Sequence, residues 1–126
     1  MESESKQKPI KSFYDLRVYQ QSYQASLGLH QVTLNFPSFE RGETGSQLRR
    51  ASKSIPINIA KGYGRKKSPE DFKRFLVIAL GSCDEVRVLL DFCRDLKYIT
   101  PEKHKEFSDR YIEIGKGINK LIQVWR

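Results

Sequence analysis

The sequence predicts an all-α fold, an antiparallel up-down-up-down four-helix bundle, on three observations. Apolar residues recur at steps of three and four in four separate segments. Two of those segments open on Ser68-Pro69 and Thr100-Pro101, pairs that combine a capping hydroxyl with a proline suited to the first turn. No segment alternates with a period of two, and no Asn-Gly or Asp-Gly pair marks a hairpin. With 126 residues the chain closes one core and leaves little for a second.

Residues 1–13 read as a flexible tail containing Pro9, and residues 14–126 as the single bundle domain. In the first helix Leu16, Tyr19, Tyr23, Leu27, His30 and Leu34 share one face, expected to turn inward. The helix should stop near Asn35, because Phe36 precedes Pro37 and a pre-proline residue avoids the helical region. Thr44-Gly45-Ser46-Gln47 reads as a capping box opening the second helix, although Glu40 and Glu43 would also suit a first turn. Its core stripe is Leu48, Ser52, Ile55 and Ile59, with Ala51 beside it, and Arg49, Arg50 and Lys53 fall on the wet side. Pro56 lies inside the pattern and predicts a kink, with Asn58 covering the backbone that it frees. Gly62 and Gly64 are expected to end the helix.

The third helix starts at Ser68-Pro69-Glu70-Asp71, where two acids meet the positive end of the helix dipole, and runs to Leu96. Its seam is Phe72, Leu76, Ala79, Cys83, Val86, Leu90 and Cys93, a regular heptad. Further apolar residues widen that seam beyond one stripe, so the helix should bury more than one face. The fourth helix follows Thr100 with a seam of Phe107, Tyr111, Ile114, Ile118, Leu121 and Trp125. Off-seam Ile57, Val77, Val88, Ile112 and Ile122 are the expected contacts of a homo-oligomer.

The chain carries a formal charge of +8, and most of it sits in one place. Residues 41–74 hold ten Lys and Arg against three acids, while the rest of the chain is close to neutral. Such a block attracts polyanions. The candidate nucleic-acid contacts are Arg49, Arg50, Lys53, Lys61, Arg65, Lys66 and Lys67, with Tyr63 either stacking on an unpaired base or packing against the end of the bundle. No apolar run is long enough to span a membrane, and the polar N-terminus lacks the apolar stretch of a signal peptide. A soluble, cytoplasmic protein is expected.

Catalytic chemistry is not expected. His30 and His104 lie in different helices, and neither has metal-ligand spacing with Cys83 or Cys93. The two cysteines are about 15 Å apart along one helix, too far to pair, and read as buried thiols. The Arg-x-x-x-x-His pattern of some helical ribonucleases is missing, since Ala25 and Ile99 stand five before the histidines. Glu70 and Asp71 are explained by capping, and there is no phosphate-cradling loop or Ser/His/Asp set in a recognisable context. No cofactor, metal ligand or catalytic residue is assigned.

Several stretches together carry a family signature. They are Ser46-Gln47-Leu48-Arg49-Arg50-Ala51, Ser54-Ile55-Pro56-Ile57-Asn58-Ile59-Ala60, Gly62-Tyr63-Gly64-Arg65, Phe75-Leu76, Ile78-Ala79-Leu80-Gly81-Ser82, Arg94-Asp95-Leu96 and Tyr98-Ile99. A proline held in frame between an Arg-Arg pair and a Gly-aromatic-Gly turn is a specific combination. From Asp15 to about Trp125 the chain resembles the four-helix bundle proteins encoded by intervening sequences in bacterial 23S ribosomal RNA genes. That resemblance implies a left-handed bundle and a ring-shaped homopentamer. It also implies a distant likeness to the basic, nucleic-acid-binding accessory proteins of diversity-generating retroelements, which dock a reverse transcriptase. Lys61 departs from the pattern, because the family usually has an acid before the glycine. The resemblance supplies no catalytic residue.

Two functions of different class follow. One is a non-catalytic, oligomeric, ribosomal-protein-like binder of RNA or DNA phosphates. The other is a scaffold whose basic face docks an acidic protein or a reverse-transcriptase-like partner.

Overall fold

The computed structural model describes residues 9–125. Among them the regular elements are a 3-10 turn, Phe13–Asp15, and five helices: α1 (Arg17–Thr33), α2 (Ser38–Arg41), α3 (Thr44–Tyr63), α4 (Pro69–Asp95) and α5 (Pro101–Val124). Four are long, and they form a four-helix bundle. The single-turn α2 is an addition that the sequence pattern did not reveal.

Residues 1–8 of the expected tail lie outside the described residues. Its last part belongs to the fold: Ser12 accepts from the Tyr14 amide, and Asp15 takes the amides of Lys11 and Ser12.

Around the bundle, α3 packs between α1 and α4, while α5 packs against both α4 and α1. Contacts between neighbours run in opposite senses. Gly117 of α5 faces Val18 of α1, and Gly28 of α1 faces Phe107 of α5. Ser54 of α3 meets Ser82 of α4 across a 2.8 Å hydroxyl–hydroxyl bond, and Gly62 meets Phe72 and Phe75.

The α4 seam is buried at all seven heptad positions, and the α3 stripe at Leu48, Ala51, Ser52, Ile55 and Ile59. In α5, Phe107, Tyr111, Ile114 and Ile118 are buried, while Leu121 and Trp125 are half-buried against the core.

Helix α1 departs from expectation. Its buried residues are Val18, Ser22, Ala25, Ser26, Leu29 and Thr33. Of the expected inner face only Leu16 is buried, whereas Tyr23, Leu27 and Leu34 are 45%, 47% and 47% exposed. Apart from Val18 and Leu29, the inner positions are small or hydroxylated. Each hydroxyl satisfies itself by donating to the carbonyl three residues back: Ser22 to Tyr19, Ser26 to Tyr23 and Thr33 to His30. Burying them therefore leaves no unpaired group, and small residues let α1 approach its neighbours closely.

The start of α3 is also capped differently. Glu43 occupies the cap position with no side-chain bond, and the Thr44 amide and hydroxyl both donate to Glu40 Oε1 of α2, at 3.3 and 2.5 Å. The short α2 thus supplies the acceptor that a capping box would have drawn from within α3. The Thr44 hydroxyl bond holds the Glu40 carboxyl below its usual range, helped by a bond from Tyr98.

Pro56 lies within α3 and is buried. Asn58 Nδ2 donates to the Ser54 carbonyl at 2.8 Å. It does not reach the Ser52 carbonyl, which loses its usual donor to the proline.

Candidate functional site

The basic segment runs from the end of α2 through α3 and a five-residue connection into the first turns of α4. What holds this end together is close packing. A Cβ on Gly62 would lie 2.8 Å from Phe75 Cβ and 3.0 Å from Phe72 Cδ1. Only glycine lets the end of α3 come this near to α4. No described glycine has positive φ, so Gly62 is a contact residue and not the left-handed terminator that the sequence suggested. Helix α3 continues to Tyr63 and passes directly into the turn.

Tyr63 is buried at 7% exposure, edge-on to Phe72 and Trp125 at ring separations of 6.0 and 6.2 Å. This corrects its reading as a base-stacking residue. The ring packs into the end of the core, and Lys66 Nζ sits 4.4 Å from its centroid.

Phe75 organises the cations. Arg74 and Arg65 place their guanidinium carbons 4.7 and 4.9 Å from its ring centroid, and Lys61 its ammonium 5.6 Å away. A ring face attracts cations, so one aromatic side chain gathers three positive charges from α3, the turn and α4. Arg65 is fixed further by donating from Nη1 to the Lys61 carbonyl at 3.0 Å. Arg74 has a weak partner in Asp71 at 3.5 Å. Lys61, Arg65, Lys66 and Lys67 have no carboxylate within ion-pair distance among the described residues. Arg74 was not among the residues singled out from sequence. The signal for it was Gly62, whose close approach brings the next helix into the same cluster.

Arg50, Lys53 and Lys61 are exposed on one outer line of α3, with Ile57 between them. Arg49 is a correction. It turns inward, donating from Nη1 to Thr33 Oγ1 at 2.7 Å and from Nη2 to the Arg41 carbonyl at 3.0 Å. It clamps α1 and α2 to α3, with one donor from each terminal nitrogen used there.

Among the expected oligomer contacts, Ile57, Val77 and Val88 are exposed, while Ile112 and Ile122 are half-buried. Ile122 packs on the core of its own chain. Tyr23 and Leu27 of α1, Leu34 just after it, and Ile78 and Phe92 of α4 are further exposed apolar residues that the expectation did not include.

One further cluster joins α4 to α5. His104 Nε2 lies 2.8 Å from Asp91 Oδ1, 3.3 Å from Ser108 Oγ and 3.4 Å from Arg94 Nη1. A nucleophile–base relay needs the two ring nitrogens to serve different partners. Here all three partners crowd one nitrogen, which ties helices together and does not build a relay. Both cysteines are buried and free. Burial, with Asp84 adding, pushes the Cys83 thiol up to about 12, and burial, with Glu40 adding, pushes Cys93 up to about 11. Neither is an activated thiolate. Tyr111 is also raised by burial, and its hydroxyl has no hydrogen-bond partner among the described residues. Among the described residues, no three His, Cys, Asp or Glu side chains are grouped to hold a metal ion, and no helix is long and apolar enough to cross a membrane.

A family model described as 23S rRNA-intervening sequence protein matches residues 14–120. Among solved structures, the chain is similar to a protein with unknown function from the S23 ribosomal protein family of Bacteroides thetaiotaomicron VPI-5482. The TM-score is 0.74 at 24% identity, over 85% of this chain and 96% of that one, a likeness of fold. The search of curated proteins gave no match.

Proposed function

The chain belongs to the 23S rRNA-intervening sequence protein family, and from that premise we propose that it is a non-catalytic, oligomeric, cytoplasmic protein that binds nucleic acid through its phosphates. The observation that carries this reading is the gathering of Lys61, Arg65 and Arg74 on Phe75, with Lys66 and Lys67 beside them and so little opposing charge. Holding like charges together costs energy unless an anion shares the site. Guanidinium edges remain available for bidentate phosphate contacts. The working residues are Arg50, Lys53, Lys61, Arg65, Lys66, Lys67 and Arg74, without Arg49 and Tyr63.

Self-association is part of the same reading. Exposed apolar residues stand on α1 or just after it (Tyr23, Leu27, Leu34), on α3 (Ile57) and on α4 (Val77, Ile78, Val88, Phe92). A ring would repeat the basic end and raise avidity for a long polyanion. The family resemblance makes a pentamer the expected state. Light scattering at micromolar concentration should give a multiple of the chain mass, and a single-chain mass overturns it.

The nucleic-acid reading is tested by fluorescence anisotropy with labelled RNA and DNA in a salt series. Affinity should fall steeply with salt, and Arg65→Ala with Lys66→Ala and Lys67→Ala should weaken binding to every sequence alike. Salt-independent binding, or unchanged affinity in the triple variant, would overturn it and favour an acidic protein as the partner of this face.

A further inference from the structure

We propose that the nucleic acid held at the basic end is base-paired, and that unpaired strands are held less well. This rests on the phosphate-binding reading above and names the form of its ligand.

The argument begins with the aromatic rings. Sites for unpaired strands combine a basic groove with open aromatic faces on which successive bases stack. At this end the rings are already used. Phe75 is 8% exposed, with three cations gathered about it. Tyr63 is buried under Lys66, and Phe72 is buried edge-on to Trp125 at 4.7 Å. A base arriving here would have to displace a cation from its ring, losing the charge contact it came for. Asn58, a side-chain amide on α3 that could otherwise read a base edge, turns its Nδ2 donors to Ser54.

The cations themselves suit a stiff ligand. Arg50, Lys53 and Lys61 lie along about 16 Å of one rigid helix, and Arg65 and Arg74 are pinned on Phe75 beyond them. A duplex presents about one phosphate charge per 1.7 Å of its axis, with its bases stacked on each other. It meets a fixed row of charges without being reordered. A flexible strand must be ordered to meet the same row, and no stacking offsets that cost. Paired RNA is recognised chiefly by shape and backbone in the same way.

Exposed rings do occur elsewhere. Tyr14 and Tyr23 belong to a ladder on the α1 side, where Phe13, Tyr14, Tyr19 and Tyr23 follow one another at 4.3 to 5.8 Å. That ladder is the largest group of rings on which an unpaired strand would stack if the inference were wrong, with Phe39 and Phe92 exposed singly elsewhere.

The experiment compares duplex RNA, duplex DNA and oligouridylate with equal phosphate numbers, by anisotropy on the full chain. Both duplexes should bind at least about tenfold tighter than oligouridylate, with the steeper salt slope of a duplex. Arg65→Gln with Arg74→Gln should lower duplex affinity while the circular dichroism melt is kept, since both side chains are exposed. Oligouridylate binding as tightly as the duplexes, or losing affinity with Tyr14→Ala, would overturn the inference while leaving the phosphate reading intact. Duplex affinity unchanged in the double variant would overturn it as well. Binding to neither form would overturn the nucleic-acid reading itself.

Discussion

The two ends of α4 treat charge in opposite ways. Near its last turns and the start of α5, cations are paired: Arg94 with Asp95 at 2.9 Å, Lys103 with Glu106 at 3.3 Å and Lys105 with Asp109 at 2.8 Å, while His104 lies 2.8 Å from Asp91. At its first turns, cations face one another across an aromatic ring, with Asp71 as a distant counter-charge. Exposed pairs contribute little to stability, so pairing there mainly removes charge from use. The unpaired end keeps its charge available to a partner. Local charge balance, more than net charge, separates a surface that holds itself together from one that recruits a ligand.

The largest expected effect comes from neutralising each end in turn. Alanine at Arg65, Lys66 and Lys67 should lower duplex affinity about tenfold or more and reduce the log–log salt slope by about 2.7. Alanine at Lys103 and Lys105 should leave both unchanged. Equal losses in the two variants would break the comparison.

Gly62→Ala attacks the platform beneath the cations. Its Cβ would collide with Phe75 Cβ, and overpacking of this kind costs about 1–3 kcal/mol. Chemical denaturation should show that loss, and duplex binding should weaken at temperatures where the variant is still folded. A variant as stable as the parent would show that α3 and α4 can separate here without cost.

A smaller effect should mark the paired end in acid. Glu40 is held below its unfolded value near 4.5 by bonds from Thr44 and Tyr98. Its contribution is therefore complete above that pH and is lost as pH falls through the lower, folded value. The melting advantage of the parent over Glu40→Gln should shrink on acidification below pH 4.5, while duplex binding at neutral pH is the same in both.

The smallest expected change is a gain. Lys97 adopts φ 66° at the end of α4, where its amide bonds to the Arg94 carbonyl and the Tyr98 amide to the Cys93 carbonyl. Glycine favours that conformation. Lys97→Gly should stabilise by about 0.5 kcal/mol, because relief of a left-handed residue, about 1–2 kcal/mol, exceeds the added freedom of the unfolded chain. Calorimetry at neutral pH would detect it.

Legibility in the sequence followed side-chain size. The α4 seam could be read because all its positions but Ala79 are sizeable and apolar, and all are buried. Helix α1 carries two stripes of similar spacing, and the one with larger side chains faces outward. Its true inner face joins Val18 and Leu29 with Ser22, Ala25, Ser26 and Thr33, a stretch that looks polar until the i−3 carbonyl bonds are counted. At the basic end, composition located the charge but not its use. Arg49 and Arg50 are adjacent in sequence, yet one is a clamp and the other is exposed, because only Arg49 lies within reach of Thr33 and Arg41. Tyr63 closes α3 between the two glycines expected to end it, and its ring joins the end of the core instead of standing in the loop. The gathering of charge on Phe75 depends on the separation of two helices, a distance that no spacing along one helix encodes.

That gathering makes the surrounding ions a component of the folded state. Three like charges held about one ring raise the energy of the native structure in pure water, and the unfolded chain lets them drift apart. Anything that collects at the cluster and disperses on unfolding therefore raises the melting point in proportion to the logarithm of its concentration. The protein's heat resistance becomes a reading of the polyanions in its environment, highest where its ligand is plentiful and lowest when it stands alone.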